Sequence, residues 1–122
     1  MSKRKNKSLK ACRSGGWSPM YHDVFRSKAF ESLKPQSKCL FFLMQDNFIP
    51  DSRERISVSV VNAAEWIPCN KDTAAMAFKQ LESFGFIRLL EHHQWQKCKA
   101  RVYRLTWRQF EGREPTDEWK DV

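Results

Sequence analysis

Long apolar runs are absent from this 122-residue chain. None approaches the roughly 18 residues that a membrane-spanning helix requires, so no membrane partner is expected. The basic start, Met-Ser-Lys-Arg-Lys-Asn-Lys, is not followed by an apolar segment and therefore differs from a secretory signal. These two absences predict a cytoplasmic protein.

Closely spaced cysteines are also absent. Long intervals separate the four cysteines, which stand at positions 12, 39, 69 and 98. This pattern matches neither a zinc site nor a disulfide framework, so free and partly buried thiols are expected. His92 and His93 stand near Cys98, but a tetrahedral zinc site needs a further ligand, and paired histidines in a polar segment commonly belong to a plain loop. We predict no metal site.

Catalytic motifs are the third absence. The sequence contains no nucleophile elbow, no phosphate-binding loop and no paired-carboxylate pattern. Asp51, Glu54 and Glu65 stand in no arrangement that indicates acid–base chemistry. We predict that the chain is not an enzyme, needs no cofactor and binds no small-molecule ligand.

Charge is abundant and unevenly placed, with a formal net value of +8. Residues 1–13 hold six basic residues and no acidic ones, whereas residues 111–122 hold five acidic residues and two basic ones. A basic arm on a moderately basic body suits a polyanion such as nucleic acid. The alternative, which the sequence leaves open, is a solvated tail without a partner.

Apolar residues are numerous enough for one folded domain. The hydrophobic fraction is 41%, with nine Phe and five Trp, and a chain of this length buries one modest core rather than two. We predict a flexible basic arm over residues 1–16, a domain over residues 17–110 and an acidic C-terminal tail over residues 111–122. Trp119 is the one tail residue that is expected to dock.

The first half of the domain is predicted to be helical. Phe25, Ala29 and Leu33 recur every four residues, which predicts a helix over residues 23–33. Ser27 offers an alternative internal cap within this helix.

A second helix is predicted over residues 35–45, because Pro35 is favoured in a first helical turn. Its expected buried face consists of Cys39, Leu40, Leu43 and Met44. Alternation of polar and apolar residues over residues 55–58 then predicts a very short strand.

Residues 70–85 carry both ends of a helix and a clear inside and outside. Asn70 predicts an N-cap, because its side-chain oxygen can accept from N–H groups of the first turn. Gly85 follows the last periodic residue, where a left-handed residue commonly closes a helix. The predicted buried stripe is formed by Ala74, Phe78 and Leu81.

The neighbours of this helix predict a helix-turn-helix followed by a hairpin. A preceding helix is predicted over residues 60–66, with Ser59 as its cap. This helix cannot continue through Pro68. Residues 86–91 and 100–107 are rich in aliphatic and aromatic residues, and the second segment alternates as a half-buried strand does. The expected fold class is α+β: a helical N-terminal half, a short strand, a helix-turn-helix and a two-stranded wing hairpin.

Residues 73–87 read Thr-Ala-Ala-Met-Ala-Phe-Lys-Gln-Leu-Glu-Ser-Phe-Gly-Phe-Ile. This stretch resembles the recognition helix and following strand of bacterial winged helix-turn-helix proteins, and residues 57–67 resemble the strand and first motif helix of that family. The positions that match are Thr73, Ala74, Phe78, Leu81, Gly85 and Ile87. The similarity covers roughly residues 36–107, and it extends to small winged-helix proteins of phages, plasmids and integrative elements.

The resemblance implies which residues meet DNA. A recognition helix presents its N-terminal half to base edges in the major groove, and the corresponding residues here are Asn70, Lys71, Asp72, Thr73, Met76 and Lys79, with Gln80 at the edge of that face. Backbone contacts are expected from Ser59 and Asn62 at the start of the preceding helix. Wing contacts are expected from Lys97, Lys99 and Arg101, and arm contacts from Lys3, Arg4, Lys5 and Lys7.

One departure from the family concerns the middle of the recognition helix. Many relatives carry Ser-Arg where this chain has Ala75 and Met76. Met76 can make only an apolar contact, for example with a thymine methyl group. Strong guanine readout from the middle of the helix is therefore not expected.

These features predict a sequence-specific double-stranded DNA-binding protein that regulates transcription, as a repressor of a mobile genetic element or a bacterial operon, in the nucleoid-associated part of the cytoplasm. Because a small winged helix reads a short site, a homodimer or cooperative binding on DNA is expected. Two alternatives stay open: a replication-initiation or partition protein of a plasmid or phage, and a winged-helix protein-interaction module.

Overall fold

The computed structural model describes residues 16–91 and 101–121 of the chain. These residues form five α-helices and one three-stranded antiparallel sheet, so the predicted α+β class is confirmed. The elements in chain order are α1 (His22–Phe25), α2 (Lys28–Glu31), α3 (Pro35–Asn47), β1 (Arg55–Ile56), α4 (Val60–Trp66), α5 (Lys71–Ser83), β2 (Ile87–Glu91), β3 (Val102–Leu105) and a closing 3-10 helix (Glu118–Asp121). Their order is compatible with a winged-helix-like fold. None of the helices in these two ranges is long and apolar enough to cross a bilayer.

The single helix predicted over residues 23–33 is wrong, because Ser27 divides it into α1 and α2. The Ser27 hydroxyl donates to the carbonyl of Val24 at 2.7 Å and accepts from the N–H of Phe30 at 3.1 Å. A serine side chain that satisfies backbone groups in this way competes with helix continuation and caps the helix that follows. Two short helices form in place of one.

The second predicted helix exists as α3, which begins at Pro35 as predicted and continues to Asn47 rather than ending at Gln45. Two residues of its predicted buried face, Leu40 and Met44, are buried as expected. The other two, Cys39 and Leu43, are only half-buried. Phe41 is also buried, and its ring stacks on Trp107 with the ring centroids 4.1 Å apart. The helix therefore packs through a wider face than its aliphatic residues indicate.

Gln45 is a buried polar link between three parts of the chain. Its side-chain oxygen accepts from the indole N–H of Trp107 at 2.6 Å. Its amide nitrogen donates to the hydroxyl of Ser18 at 2.6 Å and to the carbonyl of Pro19 at 2.9 Å. A buried amide that pairs its donors and acceptor in this way fixes the start of the described chain against the end of α3.

The central helix pair, α4 and α5, has the predicted caps. The Ser59 hydroxyl accepts from the N–H of Asn62 at 3.0 Å, and the Asn70 side-chain oxygen accepts from the N–H of Thr73 at 2.8 Å. Residues 67–70 connect the two helices, and α5 packs against both α3 and α4. The buried residues of α5 are Ala74, Ala77, Phe78 and Leu81, which include the whole predicted stripe.

The sheet has the strand order β1-β3-β2, with both pairs antiparallel. All three strands are shorter than the segments predicted over residues 55–58, 86–91 and 100–107. The face toward the helices carries Ile56, Ile87, Leu89, Tyr103 and Leu105. Phe78 of α5 stacks on Tyr103 with the ring centroids 5.6 Å apart, which fixes α5 against the central strand.

The outer face of the sheet carries three arginines in one register, here called the arginine row. Arg104 of β3 lies opposite Arg55 of β1 on one side and opposite Arg88 of β2 on the other. Like charges in directly opposed positions destabilise a sheet unless they are compensated. Burial, followed by the neighbouring Arg88 charge, lowers the pKa of the Arg104 guanidinium, which nonetheless stays charged.

Residues 110–121, here called the C-terminal cover, lie over the arginine row. The Phe110 ring centroid is 5.0 Å from Cζ of Arg104 and 5.5 Å from Cζ of Arg55, within the range of cation–π attraction. The carbonyl of Glu114 accepts from Nη2 of Arg104 at 3.2 Å. The central arginine is therefore enclosed by an aromatic ring and a backbone acceptor.

Carboxylates of the C-terminal cover pair with the two outer arginines. Glu111 contacts Arg55 at 3.1 Å, and Glu118 forms an ion pair with Arg88. All four side chains are at least a third exposed, so each pair contributes little free energy by itself. Their position at the two ends of the row compensates its repulsion.

The strand predicted over residues 100–107 exists as the shorter β3, but the prediction that it is half-buried is wrong, because the C-terminal cover lies over its outer face. Arg104 and Thr106, predicted to alternate with the buried side chains, are 5% and 0% exposed. The sheet thus buries side chains on both faces: apolar ones under the helices and the polar Arg104 and Thr106 on the outer side.

Trp119 closes the C-terminal cover, and its predicted docking is confirmed. The indole is 4% exposed and stacks on Phe86 with centroids 6.1 Å apart. Gly85, which ends α5 as predicted, has φ +83°. A Cβ atom at this position would lie 2.8 Å from the carbonyl carbon and oxygen of Glu118. The glycine therefore permits both the left-handed backbone and the close approach of the cover.

Glu54 holds two tight turns through its buried carboxylate. It accepts from the N–H of Glu111 at 2.6 Å and from the N–H of Asp51 at 2.9 Å. Both donors belong to non-glycine residues with positive φ, +49° and +65° respectively. The two backbone hydrogen bonds, that from Glu111 first, lower the pKa of the Glu54 carboxyl.

We expect Gly85→Ala to lower the free energy of unfolding by about 2–4 kcal/mol in urea denaturation. About 1–2 kcal/mol comes from the left-handed backbone, and the rest comes from displacing the Glu118 backbone. Gly112→Ala is the matched control, because Gly112 has φ +79° with no neighbouring atom within 4 Å. The control should lose only the backbone contribution. Equal losses in the two variants would contradict the close approach.

We expect Glu54→Gln to lower the free energy of unfolding by about 1–3 kcal/mol at neutral pH, because a charged acceptor of two backbone N–H groups is lost. Since the folded pKa lies below the ordinary value of about 4.3, the ionised carboxylate stabilises the fold fully above that value. This stabilisation disappears as the pH falls through the folded pKa. Denaturation measured across acidic pH should therefore show the difference between the two proteins shrinking. Glu65→Gln, at an exposed position on α4, should change neither quantity.

Candidate nucleic-acid interface

The face of α5 opposite its buried stripe is open to solvent. Four residues spaced at i, i+4, i+7 and i+11 form this face, which we call the outer stripe: Asp72, Met76, Lys79 and Ser83. Met76 stands near its centre and is 58% exposed, the largest value among the exposed apolar residues of the helix pair. The stripe thus combines one acid, one thioether, one cation and one hydroxyl.

The first turn of α5 holds the other predicted groove residues. Lys71 is exposed and Thr73 is half-buried. The oxygen of Asn70 is engaged as the N-cap. Lys71, Asp72, Thr73, Met76 and Lys79 thus all stand on one 13-residue helix, with Asn70 fixing where that helix begins.

Gln80 has a structural partner that the sequence does not reveal. Its side-chain oxygen accepts from the backbone N–H of Lys34, the N-cap residue of α3, at 3.0 Å. Because the first N–H groups of a helix lack intrahelical partners, this bond joins α5 to α3. The amide at the edge of the outer stripe is held by the fold.

The start of α4 contains the two predicted phosphate-positioning residues. Asn62 is exposed and Ser59 is half-buried. The backbone N–H of Asn62 is already bound by the Ser59 hydroxyl, so this N–H is used within the helix. The Asn62 side chain still faces outward.

α4 has three exposed apolar side chains: Val60, which is 36% exposed, and two more exposed ones that sequence reasoning missed. Trp66 is 54% exposed and Val61 is 45% exposed. In the sequence both stand among residues of a helix whose core contacts come from Ala63 and Ala64. The sequence offers one indication of their exposure: in this short helix the buried positions are occupied by small alanines, so the larger apolar side chains remain outside.

Arg101 is the one predicted wing residue that the structure describes. It is exposed and directly precedes β3. Lys97 and Lys99 lie outside the described residues, as do the arm residues Lys3, Arg4, Lys5 and Lys7.

The cations of the described chain divide into two groups. Arg55, Arg88 and Lys120 form ion pairs with carboxylates. Within residues 16–91 and 101–121, Lys71, Lys79 and Arg101 form none. An uncompensated exposed cation attracts an anion more strongly than one already paired. Arg26, Lys28, Lys34, Arg53 and Arg113 are also exposed and form no ion pair within the described residues. The unpaired positive charge is therefore spread over several surfaces, of which α5 and the start of β3 are two.

A small open cavity lies elsewhere, on the sheet side of the molecule. It has a volume of about 260 Å³ and is lined by Asp51, Ser52, Arg53, Glu54, Arg55, Phe110 and Glu111. Its lining mixes both charge signs and includes the Glu54 carboxylate that holds the adjoining turns. In the described part of the chain, no three His, Cys, Asp or Glu side chains come together as a metal site.

Comparison of the chain with protein-family models, with curated proteins and with solved structures finds no match. The assignment of a function therefore rests on the order of the elements and on the chemistry of the exposed side chains.

Asn70→Ala should lower the free energy of unfolding by about 1 kcal/mol, because the cap of α5 is lost. Asn70→Ser is the matched control, since serine caps a helix nearly as well and should retain the stability. Thermal denaturation of the three proteins measures this. An Asn70→Ala variant with the same stability as the wild-type protein would contradict the capping role.

Proposed function

We propose that the chain is a winged helix-turn-helix protein that binds double-stranded DNA and regulates transcription, as a repressor of a mobile genetic element or a bacterial operon. One observation supports this most: α4 and α5 are joined by a short turn and followed by the antiparallel pair of β2 and β3. In addition, α5 carries two exposed lysines, Lys71 and Lys79, that form no ion pair within the described residues. In this proposal α5 is the recognition helix, and β2 with β3 form the wing.

The geometry of α5 suits a major groove. An α-helix fits this groove, and the residues of its N-terminal half meet base edges. Lys71 and Thr73 stand in the first turn and Met76 one turn further on. The core contacts of α5 are confined to the opposite stripe, so insertion of the outer stripe would disturb no packing.

Phosphate contacts would come from the residues around that helix. Lys79, Ser59 and Asn62 flank the groove residues, and Arg101 stands at the wing. Lys97, Lys99 and the basic arm would add sequence-independent contacts. Neutralising phosphates releases counterions, so affinity should fall steeply with salt. A cytoplasmic, nucleoid-associated location and a homodimeric or cooperative complex on DNA belong to the same proposal.

A second candidate function is a winged-helix protein-interaction module. The exposed Trp66, with 54% of its surface accessible, and Val61 favour it, because exposed aromatic residues are common in protein interfaces. Both stand on α4 beside the proposed recognition helix. Binding to nucleic acid distinguishes the two functions.

The decisive experiment selects bound duplexes from fragmented and random DNA and then titrates salt in a binding assay. We expect salt-dependent binding to all duplexes and tighter binding to the selected ones. Lys71→Ala should weaken binding to the selected duplex by about tenfold, the cost of one lost base contact. Lys28→Ala, which removes the same charge from an exposed site on α2, is the matched control and should change affinity less than about twofold.

Two outcomes would contradict this proposal at different levels. No binding to any duplex at low salt would exclude DNA as the partner and leave the protein-interaction module. Binding that Lys71→Ala and Thr73→Ala both leave unchanged would remove α5 from the groove. The positions of the selected sites then separate regulation, which overlaps promoters, from replication, which uses repeats at an origin.

A further inference from the structure

The exposed face of α5 is poor in side chains that read adenine. An amide reads adenine through two hydrogen bonds, one accepted by its oxygen and one donated by its nitrogen. The α5 region holds two amides, and the oxygens of both are engaged: Asn70 with the N–H of Thr73 at 2.8 Å, and Gln80 with the N–H of Lys34 at 3.0 Å. Neither can turn its oxygen to a base without giving up a bond that caps a helix.

The helix also lacks an arginine, which is the commonest reader of guanine when paired through two hydrogen bonds. Lys71 is its first residue, and Lys79 follows Met76 by three residues on the outer stripe. Met76 shares the middle of the outer stripe with Lys79 and is an apolar side chain with no hydrogen-bond donor.

An apolar side chain in the major groove has one favourable partner among the four base pairs. The C5 methyl group of thymine is the apolar group exposed there, and every other edge presents a donor or an acceptor. Placing Met76 over a polar edge would remove water without replacing its hydrogen bonds. A flexible thioether can follow the position of a methyl group closely. Thr73 stands one turn earlier, three residues before Met76, and carries a second methyl group.

We propose that Met76 reads the methyl group of a 5-methylpyrimidine, so that the bound site carries thymine at the position facing the centre of α5. This inference rests on the proposed DNA-binding function and names the chemical feature that this helix recognises. Thymine and 5-methylcytosine both supply that feature, and the test separates them. Met76 is a specificity-determining residue in this assignment, together with Lys71, while Lys79 supplies affinity.

The experiment replaces each thymine of a selected duplex by deoxyuridine, which lacks only the methyl group, and measures affinity at one fixed salt concentration. The affinity of the wild-type protein should fall by about fourfold when the thymine at one position per half-site is replaced, because one buried methyl group contributes about that factor. Met76→Ala should bind the thymine and deoxyuridine duplexes equally. Alanine is the best helix former and Met76 is exposed, so this variant should keep the fold, which circular dichroism verifies.

Lys79→Ala is the matched control, because it changes the same outer stripe without touching the apolar contact. It should weaken binding to both duplexes equally and keep the fourfold ratio. At the same position, 5-methylcytosine in place of cytosine should strengthen binding by the wild type and leave Met76→Ala unaffected. Strengthening in both proteins would show that another group reads the methyl and would overturn the assignment.

Failure of this inference is distinguishable from failure of the proposed function. Salt-dependent binding with no deoxyuridine effect at any position would overturn the role of Met76 and leave DNA binding intact. A deoxyuridine effect that persists in Met76→Ala would also overturn it. Absence of binding to every duplex at low salt would overturn the proposed function itself.

Discussion

The contact between the arginine row and the C-terminal cover is the constraint on which the sheet depends. A sheet with strands of two, five and four residues has few backbone pairs and depends on side-chain packing against both of its faces. Its outer face also opposes Arg104 to two like charges. Phe110 and the carboxylates of the cover compensate that repulsion, and Trp119 joins the cover to the core at Phe86. The base of the proposed wing is therefore built by residues that follow it in the chain.

This arrangement also decides which charges face outward. Glu111 and Glu118, two of the acids that make the C-terminal segment negative, are paired with the arginine row. The arginines of the outer sheet face are consequently poor candidates for phosphate contacts, although they contribute three positive charges to the sequence. On the proposed function, attraction to DNA depends instead on the α5 lysines, on Arg101 and on the basic arm. The net charge alone would suggest that all basic residues, including the arginine row, attract DNA.

The sequence predicts local structure here far better than it predicts contacts between distant segments. The caps at Ser59 and Asn70 and the glycine that closes α5 are short-range signals, and the bounds of α4 and α5 follow from them. The polar Arg104 looks solvent-facing in an alternating strand, because the residues that cover it come later in the chain. The clamp formed by Glu54 is likewise invisible, since its two partners are backbone N–H groups of separate turns. The candidate site was predictable as a helix face, but the engaged state of Gln80 was not.

Under the proposed function, the apolar contact of Met76 limits the specificity that one copy of α5 can supply. One methyl contact is worth about fourfold and one lysine contact about tenfold, which together give about fortyfold. Specific binding typically exceeds non-specific binding by roughly a thousandfold or more. A single α5 falls short of that ratio, whereas two copies on two half-sites multiply their contributions to about 1,600-fold when the sites are independent. Under the proposed function, the weakness of the central contact is itself the physical reason for pairing on DNA, and the wing and arm raise affinity for all sequences without changing this ratio.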